Sequence, residues 1–435
     1  MTPTDTIFAL ASGQGRAAVA IIRLSGPASR NALKALAGVV PLPRRATLAT
    51  LRDPVTGAPL DRGLGLFFPA PHSFTGEDCA ELQVHGGRAV VGAVLKALSG
   101  VPDCRLAEPG EFTRRAFLNG KLDLAAVEGL ADLIDAETEA QRRQAFRQLE
   151  GHLGVWVEER RSALVGALAL AEAAIDFTDE EDTGDQAATL AGLEAAKIAQ
   201  DIRHELSRPQ AGERIREGFV VTIAGPPNAG KSTLLNALAR RNAAIVSPNA
   251  GTTRDPIEVD LDLGGFAVVL IDTAGIRDTS DLVEQEGVAR AKARAASADL
   301  VLWLQPAQEV PTPPLSDYAR LWTIGTKADL APPASGFDAV ISVETGLGVD
   351  GLLQRVRDLV GAELLGGETA LVTRVRHRRA LERAVQALGR ADQQVEPELL
   401  AEELRAANSA LGQITGTIGV EDILGAIFAR FCIGK

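Results

Sequence analysis

The clearest chemistry in the chain lies in eight consecutive residues, Gly225-Pro226-Pro227-Asn228-Ala229-Gly230-Lys231-Ser232. Their spacing is that of a phosphate-binding P-loop, and an apolar run precedes it while the helical pattern Thr233-Leu234-Leu235-Asn236-Ala237-Leu238 follows, which is the setting the motif requires. Glycines let backbone N–H groups wrap phosphates, so the segment from Asn228 through Ala229 and Gly230 to Thr233 becomes a cradle. Lys231 reaches the β- and γ-oxygens, and Ser232 offers a hydroxyl to Mg²⁺. The bland alternative is a glycine turn carrying an ordinary surface lysine. Against it, the chain holds only eight lysines and otherwise uses arginine, so a lysine inside a motif suggests a need for a compact ammonium.

Other loops complete a nucleotide site. Asp272-Thr273-Ala274-Gly275 follows an apolar run, which puts a carboxylate at a strand end for Mg²⁺ or its water and a glycine beside the γ-phosphate. Thr253, within Gly251-Thr252-Thr253-Arg254-Asp255, supplies a hydroxyl that senses metal and γ-phosphate, so both segments read as switch loops. In Thr326-Lys327-Ala328-Asp329, Asp329 can accept hydrogen bonds from N1–H and the exocyclic amine of guanine, which adenine lacks, while the Lys327 stem covers the base. GTP is therefore favoured over ATP. Ser342-Val343 reads as the last base loop, with a backbone N–H for the guanine oxygen. Where the usual motif has Asn, Thr326 is expected to lose contacts to the purine and to the P-loop, weakening affinity. Ile276 stands where many small GTPases carry a water-orienting Gln, so hydrolysis must draw its charge stabilisation from elsewhere.

These loops need a sheet to hold them. Apolar runs at 219–224, 266–271, 300–304, 321–324 and 339–342 alternate with loops and helices, which predicts a doubly wound α/β domain over 213–361. Residues 1–118 mix short apolar runs with Pro and Gly punctuation and read as an α+β domain. Segments 119–212 and 362–435 are rich in Ala, Glu, Leu and Arg with apolar stripes at helical spacing, and are expected to pack together as one discontinuous helical domain. The acidic cluster from Asp176 to Asp185 is expected to form a bend or loop, since like charges repel along a helix.

A length of 435 residues excludes a single small module, and 46% hydrophobic with 23% charged residues excludes a disordered chain. The formal net charge of −12 means that any nucleic-acid contact uses local patches or a basic partner. Arg142 to Arg147 and Arg374 to Arg379 are candidate patches, although solvated helix faces explain them better. Three cysteines, Cys79, Cys104 and Cys432, argue against a disulfide framework, and the opening residues lack a signal-peptide pattern, so a cytoplasmic protein is expected, with no membrane partner.

Taken together the sequence resembles the MnmE (TrmE) family of tRNA-modifying GTPases. The resemblance is carried by 16–26 (RAAVAIIRLSG), 72–87 (HSFTGEDCAELQVHGG), 108–132 (EPGEFTRRAFLNGKLDLAAVEGLAD), the loops above and the terminal Phe431-Cys432-Ile433-Gly434-Lys435. It implies an N-terminal folate-binding and dimerising domain, a helical domain and an inserted G domain. It matches Arg23, Glu81, Lys121 and Lys435 to binding of 5-formyltetrahydrofolate or a related tetrahydrofolate, and Cys432 to the modification reaction. It implies K⁺ gathered by Asn228, Ser247, Asn249 and Thr252, with Ser247 also beside the nucleotide, and Glu284 orienting the attacking water. It further implies a homodimer, an FAD-dependent partner similar to MnmG in a heterotetramer, and tRNA as substrate, modified at the wobble uridine. Without the resemblance Arg23, Glu81 and Lys121 would read as surface charges and Cys432 as a core filler beside Phe431. The rival is a ribosome-assembly GTPase resembling Era or Der; against it stand the lack of a second G domain or a KH-type loop after the G domain, and the terminal strings.

Overall fold

The computed structural model describes residues 5–13, 15–176, 181–208, 210–240, 258–272, 298–313, 320–391, 396–418, 427–428, 431 and 434, with backbone alone at 181–185 and 368. Contacts divide the chain into two compact units, one formed by 1–131, 149–191 and 394–435, the other by 132–148 and 192–393. These units are defined by contacts, whereas the boundaries at 118, 212 and 361 follow composition.

The first unit is built on a six-stranded sheet of order β3-β4-β5-β2-β1-β6, from β1 (Thr6–Leu10), β2 (Ala17–Ser25), β3 (Thr47–Arg52), β4 (Pro59–Phe68), β5 (Cys79–Gly86) and β6 (Cys104–Leu106). Only β1 and β6 run parallel; the other pairs are antiparallel, with Arg23 of β2 directly opposite Glu81 of β5. Helices α1 (Ser29–Ala37) and α2 (Arg88–Ser99) give Leu33, Leu36, Val94 and Leu98 to a core shared with Ile22, Leu24 and Leu82. Strand alternation explains this pattern, because successive side chains point to opposite faces and Ile22 and Leu24 share the inner one. Beyond the sheet come α3 (Glu111–Leu118) and α4 (Leu124–Asp135), and Val127 of α4 packs with Phe428 and Phe431 of the C-terminal segment. Gly434 lies against the sheet: a Cβ there, where φ is +107°, would lie 2.1 Å from the carbonyl oxygen of Leu10. Only glycine fits there.

Helix α6 (His152–Asp176) and helix α12 (Pro397–Thr415) meet within the same unit, where Arg161 Nε donates to Asn408 Oδ1 over 3.2 Å and Arg405 pairs with Glu172 at 2.8 Å. Residues 181–185 of the acidic cluster, expected in a bend or loop, are helical. Helix α7 (Glu181–Leu206) already begins at Glu181, and its first turn is where a helix dipole favours carboxylates.

The second unit carries a sheet of order β12-β11-β10-β7-β9-β8, from β7 (Phe219–Ala224), β8 (Glu258–Asp262), β9 (Ala267–Asp272), β10 (Leu300–Pro306), β11 (Leu321–Thr326) and β12 (Ala339–Val340). All neighbours are parallel except β8, which runs antiparallel at one edge. β7 and β9 are buried along their whole length, as expected of a doubly wound sheet covered on both faces. The sequence reading missed β8, where Glu258, Asp260 and Asp262 alternate with Val259 and Leu261. That is an edge strand whose charges guard it against pairing with another chain. Helices α9 (Lys231–Ala239) and α10 (Val349–Leu364) add Leu234, Leu235, Leu352 and Val356 to the core. Around this unit lie α5 (Glu139–Leu149), α8 (Ala211–Glu217) and α11 (Val375–Ala391).

Candidate functional site

The P-loop leaves the C-terminal end of β7, a central strand, and enters α9. A Cβ at Gly225, where φ is +144°, would stand 2.1 Å from the Leu304 carbonyl, so the loop can turn off the sheet there only with glycine. Asn228 and Gly230 both take left-handed backbone, at φ 63° and 90°, and Gly230 caps α9. Such a turn presents successive N–H groups to one concavity, the shape that holds an anion at a helix N-terminus. The Lys231 ammonium, almost wholly buried, donates to the carbonyls of Gly225 and Pro226 at 2.9 Å each. Ser232 Oγ donates to Asp272 Oδ2 at 2.7 Å, joining the first turn of α9 to the end of β9. A hydroxyl beside a carboxylate is a hard-oxygen pair that fits Mg²⁺. Thr233 is exposed in the same turn, and Ala229 is buried beneath the loop.

On the base side Asp329 Oδ1 accepts a hydrogen bond from Ser342 Oγ at 2.6 Å, so β11 and the segment after β12 share one cluster. Lys327 takes φ 56°, and its carbonyl accepts from Gln308 Nε2 at 3.0 Å. Val343 is half-buried and packs against the unit's core. The expected loss of the P-loop contact at Thr326 does not occur. Its buried hydroxyl lies 2.8 Å from the Ala229 carbonyl and 3.2 Å from that of Gln305, and donates its one proton to these acceptors. Because β11 ends beside the P-loop, a side chain shorter than Asn is long enough. Sequence reading also missed the Ser342 side chain as the partner of Asp329, having assigned that loop only a backbone N–H.

In the first unit Arg23 and Glu81 form an ion pair at 3.1 Å across β2 and β5, and the Arg23 guanidinium lies 5.3 Å from the Phe74 ring centroid. Lys121 is exposed, and a Cβ on Gly76 would lie 3.5 Å from its Cγ and Cε. The segment from Ser73 to Glu77 therefore touches both the Arg23 cluster and Lys121. Beneath it sits an ionic network that sequence reasoning missed. Arg115, 2% exposed, pairs with Asp5 at 2.9 Å, Glu111 at 3.1 Å and Glu77 at 3.2 Å. Burial pushes the Glu111 carboxyl upward, but hydrogen bonds from Arg105, the Glu108 N–H and Arg115 outweigh it and hold the group below the ordinary carboxylate range. Asp5 behaves in the same way: burial opposes, and bonds from Arg105 and then Arg115 prevail.

Of the cysteines, Cys79 is buried against Thr75 Oγ1 at 3.2 Å, and burial with Asp103 nearby pushes the Cys104 thiol up to about 11. Cys104 is therefore not poised as a thiolate. Ser247, Asn249, Thr252, Thr253, Gly275, Glu284, Cys432 and Lys435 lie outside the described residues. Among the candidate basic patches, Arg142 and Arg143 pair with Glu139, Arg374 with Asp132 and Arg378 with Glu213. Arg142 and Arg143 thus lie on a solvated helix face, whereas Arg374 and Arg378 are mostly buried in ion pairs between elements. No helix among the described residues is long and apolar enough to cross a membrane.

Two family descriptions match the chain, "MnmE helical domain" over residues 124–432 and "GTP-binding protein TrmE N-terminus" over residues 6–121. A protein of Beijerinckia indica named tRNA modification GTPase MnmE is 57% identical over 433 residues, covering 99% of this chain and 96% of its own. One of the same name from Methylobacterium sp. is 56% identical, covering 99% and 100%. Among solved structures, the G domain of the T. maritima FeoB iron transporter aligns with 32% of this chain and 96% of its own at 23% identity and a TM-score of 0.21. With both family descriptions and full-length relatives in agreement, the chain belongs to the MnmE family, also called TrmE.

Proposed function

We propose that this chain is a GTP-hydrolysing enzyme of tRNA modification. With an FAD-dependent partner of MnmG type, it forms a 5-(carboxymethyl)aminomethyl-type group on the wobble uridine of certain tRNAs, taking the one-carbon unit from a tetrahydrofolate. Relatives named tRNA modification GTPases, similar over their full length, support the general activity. The observation that carries the nucleotide half is the tie between the two loops, Thr326 Oγ1 to the Ala229 carbonyl at 2.8 Å, which makes phosphate and base recognition one rigid unit.

In this reading Asn228, Ala229, Gly230 and Thr233 present the loop around the phosphates. Lys231 exchanges the carbonyls of Gly225 and Pro226 for β- and γ-phosphate oxygens, a stronger charge-assisted pairing. Ser232 and Thr253 hold Mg²⁺, with Asp272 beside Ser232 and Gly275 next to the γ-phosphate. When bound, the ion offsets charge on the β- and γ-phosphates. Asp329, steadied by Ser342, accepts the guanine N–H groups under the Lys327 stem, and Val343 offers its N–H to the guanine oxygen. Asn228, Ser247, Asn249 and Thr252 gather K⁺, which supplies the positive charge that other GTPases take from an arginine. Glu284 orients the attacking water in place of the missing Gln at position 276.

Arg23, Glu81, Lys121 and Lys435 bind the tetrahydrofolate, Cys432 serves the modification chemistry, and the chain works as a cytoplasmic homodimer. Titration with fluorescent GTP and ATP in Mg²⁺ tests the nucleotide half: GTP is expected to bind at least ~tenfold tighter, because adenine leaves Asp329 unpaired. Equal affinity for both nucleotides contradicts it.

A further inference from the structure

The segment Ser73-Phe74-Thr75-Gly76-Glu77 is bolted to the first unit from beneath. Glu77 Oε2 accepts from Ser25 Oγ at 2.6 Å and from Arg115 Nη1 at 3.2 Å, and Ser25 is fully buried. Thr75 Oγ1 lies 2.6 Å from the same Ser25 hydroxyl, while the Thr75 carbonyl accepts from Asn119 Nδ2 at 2.7 Å. Ser73 Oγ closes the turn onto the Glu77 carbonyl at 2.5 Å. Arg115 is in turn fixed by Asp5, through both its backbone carbonyl at 3.0 Å and its carboxylate, and by Glu111.

The same segment also touches two of the groups assigned to the folate. Phe74 lies against the Arg23 guanidinium, itself paired with Glu81, and Gly76 lies against the Lys121 stem. One short segment thus lies between two groups assigned to the folate, held both by the buried ion pair and by Phe74 packing on Ile7, Ala9, Ala107 and Phe112.

We propose that Glu77, acting through Arg115 and Ser25, is a positioning residue for the tetrahydrofolate. It fixes Phe74 and Gly76 so that the Arg23–Glu81 pair and Lys121 keep the spacing that a pterin carrying a glutamate tail requires. This rests on the folate reading above. Glu77 does not touch the ligand; it removes the freedom of the segment that does, and a segment left about 1 Å loose costs binding steeply.

Binding of 5-formyltetrahydrofolate to the full-length chain, followed by calorimetry, tests it. Glu77→Gln keeps the shape and an acceptor for Ser25 but removes the charge pair with Arg115, and should raise the Kd about tenfold while leaving GTP affinity unchanged. A thermodynamic cycle with Phe74→Ala separates positioning from general destabilisation: if Glu77 acts through Phe74, the double variant binds no worse than Phe74→Ala alone. Fully additive losses overturn the proposal, as does a Glu77→Gln Kd within twofold of the unsubstituted chain. Should Glu77→Gln fail to fold, Asn119→Ala, at an exposed site, frees the same segment at the Thr75 carbonyl and is expected to raise the Kd severalfold; no change there overturns it equally. If the unsubstituted chain itself does not bind the folate, the folate reading falls and this proposal with it. Binding by the unsubstituted chain with both variants unaffected removes the proposal alone.

Discussion

The Thr326 hydroxyl lies 2.8 Å from the carbonyl of Ala229, so the residue that departs from the usual base-loop asparagine still ties that loop to the P-loop. Thr326→Val keeps the shape, removes the donor and leaves a buried carbonyl unpaired. GTP and GDP should each bind about tenfold more weakly, the equivalent of ~1.4 kcal/mol. Thr326→Ser should restore most of the affinity. Equal binding by the valine variant, measured by nucleotide titration, would show that the hydroxyl is idle.

Lys231 rests on loop carbonyls and Ser232 on Asp272, so each is held where a phosphate or Mg²⁺ will need it. Lys231→Ala and Ser232→Ala should each lower kcat for GTP on the order of 10²-fold. Chelating Mg²⁺ with EDTA should mimic Ser232→Ala and add nothing to it. A further large loss on chelation in that variant would place the metal elsewhere.

Much of this site was legible because its demands are local. A left-handed turn needs Gly225 and Gly230, a phosphate cradle needs a helix start, and guanine needs Asp329, so residue type and spacing already carry the reading. The network around Arg115 was not legible, because its partners Asp5, Glu77 and Glu111 are scattered along the chain and meet only after the sheet forms. The β8 strand was hidden by its charges, since a polar edge resembles a loop to any reader looking for apolar runs. Thr326 misled for a third reason. Side-chain length alone suggests a lost contact, and only the register of β11 beside the P-loop shows that it is kept.

The Arg105 and Arg115 network predicts a pH effect of definite sign. Asp5 and Glu111 have folded-state values below their ordinary ones, near 3.9 and 4.3, so their contribution is complete above those values and is lost as pH falls through the depressed range. Thermal unfolding followed from pH 7 to pH 2 should show Tm falling below about pH 4. Arg105→Gln should lower Tm at neutral pH and flatten that acid slope. An unchanged slope would mean that other carboxylates set the acid limb.

The cation proposed at Asn228 is testable by ion replacement. GTP turnover should rise at least ~tenfold when Na⁺ is replaced by K⁺, and Asn228→Ala should abolish the difference. A K⁺ effect that survives in Asn228→Ala would exclude that side chain as a ligand.

Cys79 is buried and the Cys104 thiol is pushed up to about 11, while Cys432 is the cysteine proposed for modification on the family resemblance. Cys432→Ser should keep GTP hydrolysis and lose tRNA modification, whereas Cys104→Ser should keep both. Joint loss of both activities in Cys432→Ser would mark a structural cysteine.

The wobble-uridine nucleosides of bulk tRNA, measured by mass spectrometry in a strain lacking this chain, bear most directly on the central claim. The aminomethyl-type derivatives should disappear, return with the unsubstituted chain and stay absent with Lys231→Ala. An unaltered nucleoside profile in the deletion strain, with no redundant enzyme present, would contradict it.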